Sequence, residues 1–241
     1  MKRLGSVLIW SFGFVLLIIL IQEPVGSPVS TWNTWSLPLA GKTIVLDPGH
    51  GGVDGGAVGA DGTLEKGISL TVAKKIKNYL QQTGAVVYLT REKDADLAAP
   101  ETKGLSRRKA EDIRKRLEFI KDKKADFFLS IHLNALPSTK WSGAQTFYYP
   151  KSDNSEHLAK MIQAEIIRNL GNTTRTALPL TGMYLLKHAE SPGALVEIGF
   201  LSNERERELL KQTSYQNQVA ASIYEGILRY VTEDVEKDKE K

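Results

Sequence analysis

The stretch IVLDPGHGG, from Ile44 to Gly52, runs a short apolar segment into a histidine set among glycines. Ile44, Val45 and Leu46 suit a buried strand. Asp47-Pro48-Gly49 ends it, because proline cannot donate to a sheet ladder and glycine permits turn dihedrals. His50 is thereby placed on a loop at the carboxyl edge of a sheet, where open α/β sheets hold their ligands. The same residue also reads as a capping histidine in an ordinary turn, since one histidine does not specify a metal.

Working outward, apolar runs alternate with helical periodicity. ISLTVAKKIKNYLQQTG carries Ile68, Val72, Ile76 and Leu80 at four-residue spacing and ends at Gly84, the pattern of a capped helix. AVVYLTR reads as a strand. LSRRKAEDIRKRLEFIKDKKA reads as a second helix, with Ser106 as its cap, Ala110, Ile113, Leu117 and Ile120 on one face, and its charges in solvent. DFFLSIH, from Asp126 to His132, is a compact strand ending in a histidine, and AQTFYY, residues 144–149, is another. SEHLAKMIQAEIIRNLG is a helix with Leu158, Ile162 and Ile166 in phase and His157 on its surface. MYLLKHA and GALVEIG read as strands, NERERELL and QNQVAASIYEGILRYV as helices. The alternation predicts an α/β fold, a single domain with a mostly parallel central sheet flanked by helices.

The 241 residues include no cysteine, which excludes disulfides, thiolate zinc sites and cysteine nucleophiles, so any metal falls to histidine and carboxylate. The formal charge of +4 comes from basic and acidic residues interleaved along the chain; without a basic stripe carrying aromatics, no nucleic acid is expected as a partner. Lys2 and Arg3 precede an uncharged stretch from Leu4 to Ile21, with small residues at Val25-Gly26-Ser27. Its length falls between a signal-peptide core and a membrane span, so residues 1–27 are a signal sequence or an anchor, and the remainder is exported to the outer face of the cytoplasmic membrane or the cell wall. Residues 28–40 read as a linker, 41–232 as the catalytic domain, and 233–241, EDVEKDKEK, as a solvated tail.

Two strands thus end in histidine, at His50 and His132, and GALVEIG places Glu197 near its own carboxyl end. If the three strands lie parallel in one sheet, these side chains share one rim. Glu65 immediately precedes the first helix and can fold back onto His50. Two imidazoles and a carboxylate make a zinc site with an open fourth position, and a further glutamate can serve as base. Each residue also has a plainer reading. Glu65 favours a helix amino terminus, His132 can be a satisfied strand-end histidine, and Glu197 can be half of a buried ion pair.

The segments VLDPGHGGVDGGAVGADGTLEKGISL, ADFFLSIHLNA and PGALVEIGFLSNERERELL, in this order, resemble the zinc-dependent N-acetylmuramoyl-L-alanine amidases of the amidase-3 family, over about residues 42–231. The resemblance implies that His50, Glu65 and His132 bind Zn2+ and that Glu197 is catalytic. It further implies supporting roles for Arg116, for Asp47 beside the ligands, and for Asn134 as a substrate contact. Gly67 stands where the family often has Asp, and Leu133 where a small residue is common. His188, nine residues before Glu197, can assist the oxyanion or lie on a strand running into an exposed turn. The implied reaction is hydrolysis of the amide joining the lactyl group of N-acetylmuramic acid to L-alanine in peptidoglycan, whose glycan strands with peptide stems are the substrate. The alternatives are another zinc hydrolase of the cell wall, a peptidase or deacetylase, or a non-enzymatic binding module on the same fold. The short layout, the leading hydrophobic segment and the lack of wall-binding repeats are most similar to the members that act in the spore cortex during muramic-lactam formation. That likeness implies a muramic acid deacetylase in the same pathway and a membrane-associated partner.

Overall fold

The computed structural model describes residues 37–233 together with Phe14. The expected leader apart from Phe14, the linker up to residue 36 and the tail beyond residue 233 lie outside the described residues. Residues 37–233 belong to one compact unit. Among the described residues, no helix is long and apolar enough to cross a membrane.

The strands are β1 (Thr43–Pro48), β2 (Val86–Leu89), β3 (Phe127–Asn134), β4 (Gln145–Tyr148), β5 (Leu178–Pro179) and β6 (Gly193–Phe200). They form one sheet in the order β2-β1-β3-β6-β4-β5. β2, β1, β3 and β6 run parallel, and only the β4 and β6 pair is antiparallel. The helices are α1 (Glu65–Gln82), α2 (Leu105–Asp122), α3 (Asp153–Leu170), α4 (Tyr184–His188), α5 (Glu204–Lys211) and α6 (Thr213–Thr232). This is the α/β domain with a mostly parallel, helix-flanked sheet that the alternation predicts.

The two faces of the sheet are covered unequally. Ile44, Leu46, Leu129, Ile131, Val196 and Ile198 pack in one cluster with Val72 and Ile76 of α1, Leu158 and Ile162 of α3, and Val219 and Ile223 of α6. Val45, Phe128 and Leu195 point the other way, onto Leu117 and Ile120 of α2 and Leu185 and Leu186 of α4. Because side chains alternate along a strand, the face of Val45 also carries Asp47, that of Phe128 carries Ser130 and His132, and that of Leu195 carries Glu197. All four polar residues therefore emerge on the thinly covered face, towards the carboxyl ends of neighbouring parallel strands.

Local signals explain most boundaries. Ser152 caps α3 by accepting from the Ser155 amide at 3.2 Å, and left-handed Gly171 closes it. Four expectations are corrected. MYLLKHA is not a strand, since its centre forms α4, which turns Leu185 and Leu186 inward and leaves His188 exposed at its end with its ring 4.5 Å from that of Tyr184. His157 is buried, 3% exposed, with Nε2 at 3.1 Å from the Glu233 carbonyl and its ring against Tyr230. Ser106 does not cap α2, whose amino-terminal position is Gly104. The inner face of α2 holds Asp112, Arg116, Leu117 and Ile120, whereas Ala110 is exposed, so two of its charges face inward rather than into solvent.

Candidate active site

The turn after β1 is held from beneath by two buried arginines. Arg116 donates through Nη1 to the Pro48 carbonyl at 2.7 Å and through Nη2 to the His50 carbonyl at 2.6 Å. Arg91 donates to the carbonyls of Pro48 at 3.0 Å and Gly49 at 2.9 Å, and to that of Lys66 in α1 at 2.7 Å. This clamp keeps His50 at φ 61, a left-handed conformation that a residue with a side chain seldom adopts. Arg116 is itself neutralised by Asp47 at 2.7 Å and Asp112 at 2.9 Å, all three being buried. Burial raises the Asp47 carboxyl, but Arg116 and the hydroxyls of Ser130 (2.6 Å) and Thr90 (2.7 Å) outweigh it and hold Asp47 below the usual carboxylate range.

Glu65, the first residue of α1, is 2% exposed and lies between the two histidines. Its Oε1 accepts the Leu133 amide at 2.9 Å and sits 2.9 Å from His132 Nδ1. Its Oε2 accepts the Ala57 amide at 2.7 Å and sits 3.2 Å from His50 Nε2. The far nitrogen of His50, Nδ1, bonds Asp54 Oδ2 at 2.8 Å, and Lys109 Nζ lies 3.1 Å from that same oxygen. With Nδ1 donating to Asp54, Nε2 keeps its lone pair for the site. Burial opposes charge on Glu65 and on His50, but their mutual bonds prevail: Glu65 is held well below the carboxylate range by His132 and His50, and His50 is raised by Glu65 and Asp54.

The donor set fits a tetrahedral cation. One atom from each of His50, Glu65 and His132 can be chosen so that all lie within 4.8 Å of one another. Zinc bonds of about 2.0–2.1 Å imply ligand atoms about 3.3 Å apart, and the Glu65 carboxylate already stands 2.9 Å from His132 Nδ1 through one oxygen and 3.2 Å from His50 Nε2 through the other. The backbone makes room for this set. A Cβ at Gly49 would stand 2.6 Å from His132 Nδ1, and one at Gly56 (φ +71) would overlap Glu65 and stand 2.6 Å from His50 Cδ2. The two departures from the family pattern leave it intact. Leu133 contributes its amide, which does not depend on its side chain, and a Cβ at Gly67 would meet open space.

Glu197 is paired in register with His132 across the β3 and β6 ladder. Its Oε2 is buried without a hydrogen-bond partner, and among the described residues no ion pair engages Glu197. Burial pushes its carboxyl up to about 7, with Glu65 adding to the rise and the two histidines opposing it. Asn134 ends β3, where its carbonyl accepts the Leu201 amide at 2.7 Å. A cavity of about 300 Å³ opens over His50 and His132, walled by Lys109 and Ile113 of α2 and by Met183, Tyr184 and Leu185 around α4. Asp54, Arg91 and Lys109 escaped the sequence reading. Asp54 had one signal, a carboxylate four residues after His50 in GVDGG, whereas Arg91 and Lys109 read as ordinary charges.

A family model described as N-acetylmuramoyl-L-alanine amidase, amidase-3, matches residues 44–229. The germination-specific N-acetylmuramoyl-L-alanine amidase of Bacillus subtilis (strain 168) is 55% identical over 92% of this chain and 92% of its own. LytC, another N-acetylmuramoyl-L-alanine amidase of that organism, is 34% identical over 82% of this chain, which spans only 37% of LytC. Among solved structures, the CwlD amidase from Clostridioides difficile, in complex with the GerS lipoprotein, is 42% identical with a TM-score of 0.78, over 80% of this chain and 100% of that one. The catalytic domain of CwlV from Bacillus (Paenibacillus) polymyxa var. colistinus is 30% identical with a TM-score of 0.69, over 80% of this chain and 99% of that one. A match that spans β1 to α6, on a sheet that gathers two histidines and two glutamates at one edge, assigns the chain to the amidase-3 family of N-acetylmuramoyl-L-alanine amidases.

Proposed function

We propose that this amidase is zinc-dependent and hydrolyses the amide between the lactyl group of N-acetylmuramic acid and L-alanine. The observation that carries the reading is the convergence of His50, Glu65 and His132 near the half-buried Glu197, whose Oε2 is buried with no partner among the described residues. Zinc held by the three residues would supply a Lewis acid and a water acidified towards a pKa of about 7. Asp54 holds the His50 ring through Nδ1, which would leave Nε2 free to bind the metal, and the Leu133 and Ala57 amides hold both Glu65 oxygens in place. Glu197 accepts the proton of the attacking water on Oε2 and returns it to the departing L-alanine nitrogen. Asn134, at the end of β3, is offered as a substrate contact.

The similarity to a germination-specific enzyme supports a role in the spore cortex. Cleavage leaves a free lactyl carboxylate, and closing it onto the neighbouring 2-amino group as a muramic lactam requires removal of the N-acetyl group, the reaction of a deacetylase. A relative was solved with a lipoprotein, and we extend a membrane-associated partner to this chain as well. Residues 4–21 would carry the protein to the outer face of the membrane or into the wall, by secretion or as an anchor. The test is mass spectrometry of peptidoglycan incubated with the purified chain. The reading expects stem peptides with free L-alanine amino termini and muramic acid with a free lactyl carboxylate. Stems cut between amino acids, or released acetate, would favour a peptidase or deacetylase, and an unchanged wall would favour a binding module.

A further inference from the structure

One cation on the wall of the catalytic cavity is left unused by the chemistry above. Two of the lining residues are cationic, Arg116 and Lys109. Arg116 is buried and committed, with Nε on Asp112, Nη1 on Asp47 and the Pro48 carbonyl, and Nη2 on the His50 carbonyl. Lys109 is not. Its side chain, in the first half of α2, is 48% exposed, and its ammonium is paired with Asp54 Oδ2 at 3.1 Å. An ammonium has three N–H donors, so two remain after Asp54.

Asp54 has partners of its own besides Lys109. It bonds His50 Nδ1 at 2.8 Å and accepts the Gly56 amide at 3.2 Å. An ion pair as exposed as that of Lys109 and Asp54 is weak, so Lys109 can bridge Asp54 and an incoming carboxylate while Asp54 keeps its hold on His50.

The position and the charge of Lys109 together select the part of the substrate it meets. Asp54 alone separates it from the His50 ring, through the 2.8 and 3.1 Å contacts. An extended chain advances ~3.3–3.6 Å per residue, so a stem whose amide carbonyl sits at His50, Glu65 and His132 comes level with Lys109 at about its second residue. The L-alanine in between has only a methyl group to place, and Ile113, Met183 and Leu185 give the wall apolar surface for it. Charge favours the stem over the sugars. With its lactyl carboxyl tied up in the amide to be cut, the amino-sugar strand is neutral, and the anionic groups of the substrate are on the stem. The second stem residue is a glutamate joined through its side chain, which leaves its α-carboxylate free. We propose that Lys109 binds this carboxylate and is a specificity-determining residue, laying the stem in the cavity between α2 and α4. The proposal rests on the amidase reading and deepens it by saying which part of the substrate fills the cavity.

The test compares kcat/KM of the zinc-loaded full chain on two disaccharide substrates that differ in one group, the α-carboxylate of the second stem residue being free in one and a primary amide in the other. Wild type should prefer the carboxylate about three- to tenfold, the range of one partly exposed charge contact, and the preference should shrink as salt is raised from about 0.1 to about 1 M. Lys109→Met should bring the ratio of the two kcat/KM values to about one, Lys109→Glu should invert it, and Lys109→Arg should keep it. If Lys109 did no more than steady His50 through Asp54, Lys109→Met would slow both substrates alike and leave the ratio where it was, and that result overturns the proposal. Should Lys109→Met fail to fold, Lys109→Gln takes its place with the same expected ratio. Wild type that cleaves both substrates equally well sinks the role of Lys109 alone, whereas wild type that cleaves neither sinks the amidase reading with it.

Discussion

Arg116 Nη1 and Asp47 Oδ1 meet at 2.7 Å with both side chains almost wholly buried, and the same guanidinium holds the Pro48 and His50 carbonyls. Removing the charge of Asp47 leaves a buried cation short of one partner, so Asp47→Asn should destabilise the protein by about 3–5 kcal/mol in urea denaturation. The pH dependence has a definite sign. The folded-state pKa of Asp47 is depressed, so the native state binds fewer protons than the unfolded chain around the unfolded value of about 3.9. Its contribution is complete above that value and disappears as pH falls through the folded pKa. Wild type should therefore lose stability with acid more steeply than Asp47→Asn. Equal slopes below pH ~4 would contradict the pairing. The resemblance singles out Arg116 and Asp47 for supporting roles, but in the pattern of LSRRKAEDIRKRLEF Asp112 and Arg116 look like two more charges on a polar helix; the packing of α2 onto the thin face turns them inward.

At the scale of elements, the close approach of the β1 turn to β3 is what brings His50 and His132 together. The Gly49 amide donates to the Ile131 carbonyl at 3.0 Å, and the His132 ring lies where a Cβ on residue 49 would be. Gly49→Ala should push that ring aside and lower zinc affinity by about 10–100-fold while far-ultraviolet circular dichroism stays native. Unchanged zinc titration would show that the ring tolerates the methyl group. The strands that carry the site were legible because each is a short apolar run with a sharp stop, such as Asp47-Pro48-Gly49 after β1. α4 was not. With five residues it shows too little of a helical period, and its adjacent buried leucines imitate a strand. His157 misled for the opposite reason: it follows the charged Glu156 in the first turn of α3, and its packing partners Tyr230 and Glu233 lie more than seventy residues away.

At the scale of the whole molecule, one face of the sheet carries α1, α3 and α6 and the other mainly α2 and α4, so polar strand ends can gather over an open cavity without unfolding the core. Alternation along β1, β3 and β6 puts Asp47, His132 and Glu197 on that thinner face, and this much follows from sequence once the strands are known to be parallel. What pattern could not supply is closure. Glu65 reaches the histidines because the Leu133 and Ala57 amides hold it, and His50 is oriented by Asp54 and clamped by Arg91 and Arg116, contacts set by the tertiary fold rather than by local spacing. The roles of the two glutamates are the centre of the account, and zinc content measured beside release of L-alanine amino termini in Glu65→Ala and Glu197→Gln tests them most directly. Glu65→Ala should lose zinc and regain activity at least partly when zinc is in excess. Glu197→Gln should keep its zinc, lose about 10²–10⁴ in turnover, and show no rescue. A Glu197→Gln protein that lost its metal and recovered with zinc, beside a fully loaded Glu65→Ala protein, would reverse the two roles and contradict the account.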